Sequence, residues 1–296
     1  MLGAALVLLT GFWPSGGALR AATLYWDSNG TTAGAGTTPS GTWAASAFWS
    51  TASDGTAATA NTTTTSADTL VFSAGTDATG SYTVYVNFTQ SAQMLVVEEG
   101  TINFLSGTIA LQAAAGGGVT LASGAGNVSS YSVLSLLNAQ TFDIGTGRTW
   151  THGGVVNGTG ARLVKTGAGT LILSNSSNTF NGGVTISEGT LQVQIVSNGG
   201  VAGYLGSAST DAANLVLDGG TLSITFSTTT DRNFTLSAGK TSTIQTNSSV
   251  TISGGSAATT GSLIKAGSGV LYMTGDNLHT GTTTILAAQI LLNTIG

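Results

Sequence analysis

The sequence predicts an all-β protein whose parallel strands are made by coiling, and three observations carry that expectation. First, short β-type runs recur roughly every 8 to 15 residues from Ser81 onward, punctuated by Gly and Asn. Tyr82–Val86, Thr101–Phe104, Leu171–Leu173, Val184–Ile186, Leu215–Leu217 and Leu271–Met273 are examples. In each, inward apolar residues alternate with outward polar ones, the period of a half-buried strand. Second, no segment sustains a 3.6-residue apolar period over three turns. Helical crossovers between parallel strands are therefore absent.

The third observation is an internal repeat. Residues 163–193 read LVKTGAGTLILSNSSNTFNGGVTISEGTLQV and residues 263–292 read LIKAGSGVLYMTGDNLHTGTTTILAAQILL. With one residue deleted, Leu163, Lys165, Gly167, Gly169, Leu171, Asn178, Gly182, Ile186 and Leu191 fall on Leu263, Lys265, Gly267, Gly269, Leu271, Asn277, Gly281, Ile285 and Ile290. The Gly167–Gly169 and Gly267–Gly269 segments suit turns that need positive φ or no side chain. Asn178 and Asn277 suit corners where an amide satisfies turn backbone groups. Lys165 and Lys265 recur in register and are expected at exposed positions, the stem covering apolar surface and the ammonium wet. One coil cannot bury its own apolar stripe, so each depends on its neighbours.

Composition agrees with stacked coils. The chain has 296 residues, 7 Lys+Arg and 12 Asp+Glu, and 128 of its residues are Gly, Ser or Thr. Coils stacked on like coils would set like charges beside one another at each rung, whereas Thr, Ser and Asn stack without repulsion. Seven basic residues cannot form the footprint of a nucleic-acid binder. The lack of Cys removes disulfides, thiolate metal sites and Cys nucleophiles.

Three regions are expected. Residues 1–22 contain the apolar run Met1–Leu9 and small residues near Ala21–Ala22, the pattern of a signal peptide, though without a basic residue before the run. A buried N-terminal strand is the alternative. No later stretch is long and apolar enough for a transmembrane helix. Residues 23–80 form an aromatic-rich N-terminal cap with Tyr25, Trp26, Trp43, Phe48 and Trp49, separated by loops such as Asn29–Thr32. Trp26, Trp43 and Trp49 are candidates for carbohydrate contact. The alternative reading, which the pattern favours, is that these rings seal the end of an elongated core. Residues 81–296 form about ten coils.

The string LxKxGxGxLxL…NxFxGGVTIxxGTL at 163–193 resembles the autotransporter-associated β-strand repeat found in passenger regions of large bacterial surface proteins. Residues 263–292 fit it with Ala287-Ala288-Gln289 in place of the usual Gly-Thr pair. The resemblance is loose over 67–296 and close over about 60 residues. It implies a right-handed parallel β-helix, exported and held at the cell surface or outer membrane of a Gram-negative-type bacterium. Family members of full length end in a translocator barrel. Strands of that kind are not seen here, and the pattern stops within a repeat at Gly296. The expectation is a C-terminally truncated passenger, the alternative a degenerate member without self-export. Ile290–Leu292 would then offer an edge for edge-to-edge contact.

Chemistry is sparse in this sequence. Asp211, Asp218 and Asp231 with Arg232 are the nearest approach to a polysaccharide-lyase or hydrolase set. Asp218 reads as a turn residue before Gly219-Gly220, and Asp231-Arg232 as a solvated loop pair. The acidic residues of the first half are scattered and read as a solvated surface, with no D-x-D-x-D-G calcium loop. His152 and His279 lack clustered acidic partners, and no G-x-S-x-G or G-x-G-x-x-G context occurs. No cofactor is expected. The function expected is a non-enzymatic passenger or stalk in surface architecture or adhesion, meeting an extracellular polysaccharide or protein. The alternatives are a polysaccharide-active β-helix enzyme and a carbohydrate-binding module.

Overall fold

The computed structural model describes residues 21–112 and 116–292. The signal-peptide segment therefore lies almost wholly outside the described residues. Strands stack into a β-solenoid with one 11-stranded sheet, one 10-stranded sheet and two 4-stranded sheets. Among the described residues, every pairing between strands is parallel except that of Trp49–Ser50 with Thr23–Trp26. The long sheet runs from Gly41–Trp43 to Thr283–Ile285. Its ten spacings give a stack of about 48 Å at ~4.8 Å each.

Thr23–Trp26, Gly41–Trp43 and Thr69–Phe72 are rungs of the same two long sheets as the later strands. Stacking thus begins well before Ser81. The first coils differ in what fills them. Trp26, Trp43, Trp49 and Phe72 make a ring cluster with centroid distances of 4.9–6.0 Å that includes Phe48 and Phe104. Aromatic volume fills the core at the first of the described coils.

Further along, inward positions form columns. Leu24, Leu70, Leu95, Val119, Phe142, Lys165, Ile186, Leu217 and Leu236 follow one another in register up the 10-stranded sheet. The step is 23 residues from Val119 to Phe142 and again to Lys165, then 21 to Ile186 and 31 to Leu217. The long step accommodates an excursion, residues 194–214, between Thr190–Val193 and Leu215–Leu217.

The two repeat copies occupy different faces. Leu163–Thr166 lies in the 10-stranded sheet, whereas Ser262–Ala266 lies in the 11-stranded sheet. The strand–Gly-x-Gly–strand unit fixes a bend and the strands on either side of it. It does not fix which face the unit occupies.

Candidate functional surface

Lys165 and Lys265 are fully buried, contrary to the expectation that they would be exposed. Lys165 stands in register between Phe142 and Ile186 in a column that is otherwise apolar. Its Nζ donates to Thr166 O at 2.6 Å, Gly167 O at 2.6 Å and Glu188 O at 3.3 Å. Three donors thus meet two carbonyls of the Gly turn and one of the following coil. Burial pushes the ammonium down to about 8, with Asp143 and Glu188 opposing that shift. Lys265 repeats the arrangement with Ala266 O and Gly267 O, at 2.6 and 2.9 Å. Register alone could not separate this inward cap from a wet lysine, because both recur with the coil.

The Gly turn is equally constrained. Gly167 has φ +70°, and a Cβ on it would lie 2.4 Å from Ile144 O of the coil below. Asn178 is fully buried at a corner, its Oδ1 accepting from Val156 N at 2.8 Å. Its Nδ2 donates to Asn175 O and Tyr204 O. Asn277 donates to Gly275 O, while its Oδ1 is buried without a partner.

Trp26, Trp43 and Trp49 are 0–2% exposed, which removes them as sugar-stacking platforms. Their rings pack edge to face or tilted against one another and against Phe72. Arg232 is likewise not the solvated partner of Asp231. Its guanidinium is buried and donates to Ser197 O, Ala208 O and Gly206 O at 2.8–3.0 Å, tying the 194–214 excursion to the next coil. Asp231 instead accepts from Gly199 N, and Asp211 caps the short 3-10 turn Ala212–Asn214.

Ser256 Oγ lies 2.9 Å from His279 Nδ1, a pair that the sequence search did not find because 23 residues separate its members. The other His279 nitrogen faces Thr283 Oγ1 and not a carboxylate. Ser256 Oγ is buried and also accepts from His279 N. The pair is a rung-to-rung tie. The adjacent groove, about 500 Å³, contains one carboxylate, Asp276. Among the described residues no three His, Cys, Asp or Glu converge.

Outward side chains are mostly short and polar; the exposed aromatics are Phe226, several coils further along, and three rings on a corner of the first coils. Tyr85 is 49% exposed, Phe88 81% and Tyr131 58%. Tyr85 pairs in register with Leu105, and Tyr131 N bonds Phe104 O in the coil above. Exposed rings so placed offer apolar faces to a partner. Sequence reading missed them because an isolated Tyr carries no sign of the face it takes.

Stacked parallel coils, recurrent Gly-x-Gly turns and buried Lys rungs define a parallel β-solenoid. The passenger-associated-transport-repeat family matches residues 163–193 and 263–289. A relative in Brucella suis biovar 1 (strain 1330), described as adhesin BmaC autotransporter, is 40% identical over 129 residues. That stretch covers 43% of this chain and 4% of the relative, so the chain spans a small part of that protein's length. No solved structure matches the chain. Among the described residues no helix is long and apolar enough to cross a membrane.

Proposed function

We propose that this chain is a segment of an exported passenger, located at the cell surface or outer membrane of a Gram-negative-type bacterium. In this role it acts without catalysis, as a stalk or adhesive surface. The observation that carries the reading is the division of labour between inside and outside. Lys, Arg and Asn side chains that could serve chemistry are spent inside on backbone groups. The exposed corner instead offers Tyr85, Phe88 and Tyr131 for contact with an extracellular polysaccharide or protein. Similarity to an adhesin autotransporter supports the same role.

The test uses purified protein from residue 21 onward, coated on beads, against immobilised bacterial and host polysaccharides and extracellular glycoproteins. Binding is expected, and replacing Tyr85, Phe88 and Tyr131 together by Ser is expected to abolish it without altering the circular dichroism spectrum. Release of new sugar reducing ends or unsaturated uronates from those polysaccharides would overturn the non-enzymatic reading.

A further inference from the structure

The exposed rings on the corner of the first coils are set in a pattern, not scattered. Tyr85 pairs in register with Leu105. Ser130 pairs with Phe104 on one side and His152 on the other, which sets Tyr131 beside Leu105 and Gly153. Tyr85, Leu105 and Tyr131 therefore form one outward column, with the two tyrosines two rungs, ~9.6 Å, apart. Tyr131 leans over the next coil: a Cβ on Gly153 would lie 2.7 Å from its Cε1 and 2.8 Å from its Cδ1. The absence of a side chain at Gly153 makes the room in which that ring rests. Phe88 flanks the column just past the strand end, 81% exposed and at φ +54°. A bulky residue takes that left-handed backbone only at a cost, and burial does not offset it here.

The surroundings select among partners. Two residues back along each strand, on the same face, stand Thr83, Asn103 and Ser129, half-buried and in register. Each position of the apolar column thus has a hydroxyl or an amide beside it. Between Ala21 and Gly147 there are seven carboxylates and no Lys or Arg. Asp27 and Asp68 are buried, although this set was expected to be solvated, and the other five are half-buried or exposed. Coils with this balance repel an anionic ligand and hold no cation to pair with one. A pyranose ring with equatorial linkages has apolar C–H faces that suit aromatic faces, and hydroxyl edges that suit Thr, Asn and Ser. In an extended chain of such rings, the advance of two sugars is close to the two rungs between Tyr85 and Tyr131.

We propose that this corner is a track for a neutral, extended, β-linked polysaccharide lying along the solenoid axis. Tyr85 and Tyr131 sit under alternate sugar rings, Leu105 under the ring between them, and Phe88 at the side. The proposal rests on the adhesive reading above and narrows its partner to one chemical class. Gly153 is a positioning residue, since it acts on the sugar only by letting Tyr131 lie over its coil.

The test is calorimetric titration of the purified chain with cellohexaose, mannohexaose and chitohexaose, which are neutral and β-1,4-linked. A hyaluronan hexasaccharide, β-linked but anionic, is the counterpart. One of the neutral hexamers is expected to bind about tenfold or more tighter than hyaluronan, and than its own disaccharide, which is too short to reach both tyrosines. Tyr85→Ser and Tyr131→Ser are each expected to weaken that binding about tenfold while leaving the circular dichroism spectrum unchanged. Gly153→Ala is expected to weaken it similarly in wild type and to change nothing further in Tyr131→Ser. If Gly153→Ala folds poorly, the two surface tyrosine variants still decide. No heat from any neutral hexamer at millimolar concentration, or hyaluronan binding as tightly, would overturn the proposal. If every neutral hexamer is silent while the Tyr85, Phe88 and Tyr131 triple variant loses glycoprotein capture, the track is overturned and the adhesive reading stands. If the triple variant changes the binding of nothing, both are overturned.

Discussion

His152 carries a prediction that can be worked through from its surroundings. It is fully buried in the long sheet, with Ser130 in register on one side and Leu173 on the other. Neither ring nitrogen makes a hydrogen bond of good geometry. Burial pushes its pKa down to about 4, and the nearby Val155 backbone offsets only part of that shift. The unfolded chain, titrating near 6.5, therefore binds more protons than the folded one between about pH 6.5 and 4. Stability from this group is complete above that window and falls as pH drops through it. The loss comes to about 2 kcal/mol at pH 5 and about 3 kcal/mol below pH 4, at 1.36 kcal/mol per pKa unit. His152→Leu keeps the volume and removes two unpaired nitrogens, so it is expected to be neutral or stabilising by about 1 kcal/mol at pH 7. Denaturant unfolding of both proteins from pH 7.5 to 4, followed by Trp fluorescence, measures the difference, with Trp150 two residues away as a local reporter. A variant that loses stability in acid as steeply as wild type would refute the reasoning. So would destabilisation by more than ~2 kcal/mol at pH 7, which would reveal a hydrogen-bonded imidazole.

Other substitutions test the inward polar groups. Lys165→Met keeps the stem but leaves the carbonyls of Thr166, Gly167 and Glu188 without their donor, and is expected to cost about 2 kcal/mol in denaturant unfolding. Arg232→Ala frees the excursion 194–214. Amide exchange there is expected to rise sharply, with a loss of about 3 kcal/mol. Asn178→Ala removes an acceptor for Val156 N and donors to Asn175 O and Tyr204 O, costing about 2 kcal/mol, and Asn178→Asp is expected to be worse because a buried carboxylate faces two carbonyls.

Much of this architecture was legible in the sequence because it is written in periodicity. Alternating runs such as Leu171–Leu173 and the Gly167–Gly169 turn declare strand and bend through local chemistry. Number of coils follows from spacing. What periodicity does not encode is the direction of a polar side chain. Lys165 was expected to be wet and is a buried cap, because the alternation of the strand does not exclude a long side chain whose head returns to the backbone. Arg232 seemed paired with its neighbour Asp231 but bonds carbonyls 24 to 35 residues away. The Trp rings of the cap were legible as a cluster, whereas their mutual burial depends on coils meeting at one end. The face taken by each repeat copy also escaped sequence reading, since an excursion such as residues 194–214 is invisible to a local motif.

Distances between spin labels along one column, outward-facing except at the buried Ser223, test the stacking most directly. Thr83, Asn103, Ser129, Thr151, Ile172, Gln192, Ser223 and Gln245 succeed one another in register up the long sheet. The chain has no Cys, so labelled cysteines introduced at Thr83, Gln192 and Gln245 meet no background. At ~4.8 Å per rung, labels at Thr83 and Gln192 should lie about 24 Å apart, and labels at Thr83 and Gln245 about 34 Å apart. The increment of two rungs across the intervening stretch, despite the long coil within it, is the result a parallel β-solenoid predicts. Equal distances for the two pairs, or an increment several times larger, would contradict it.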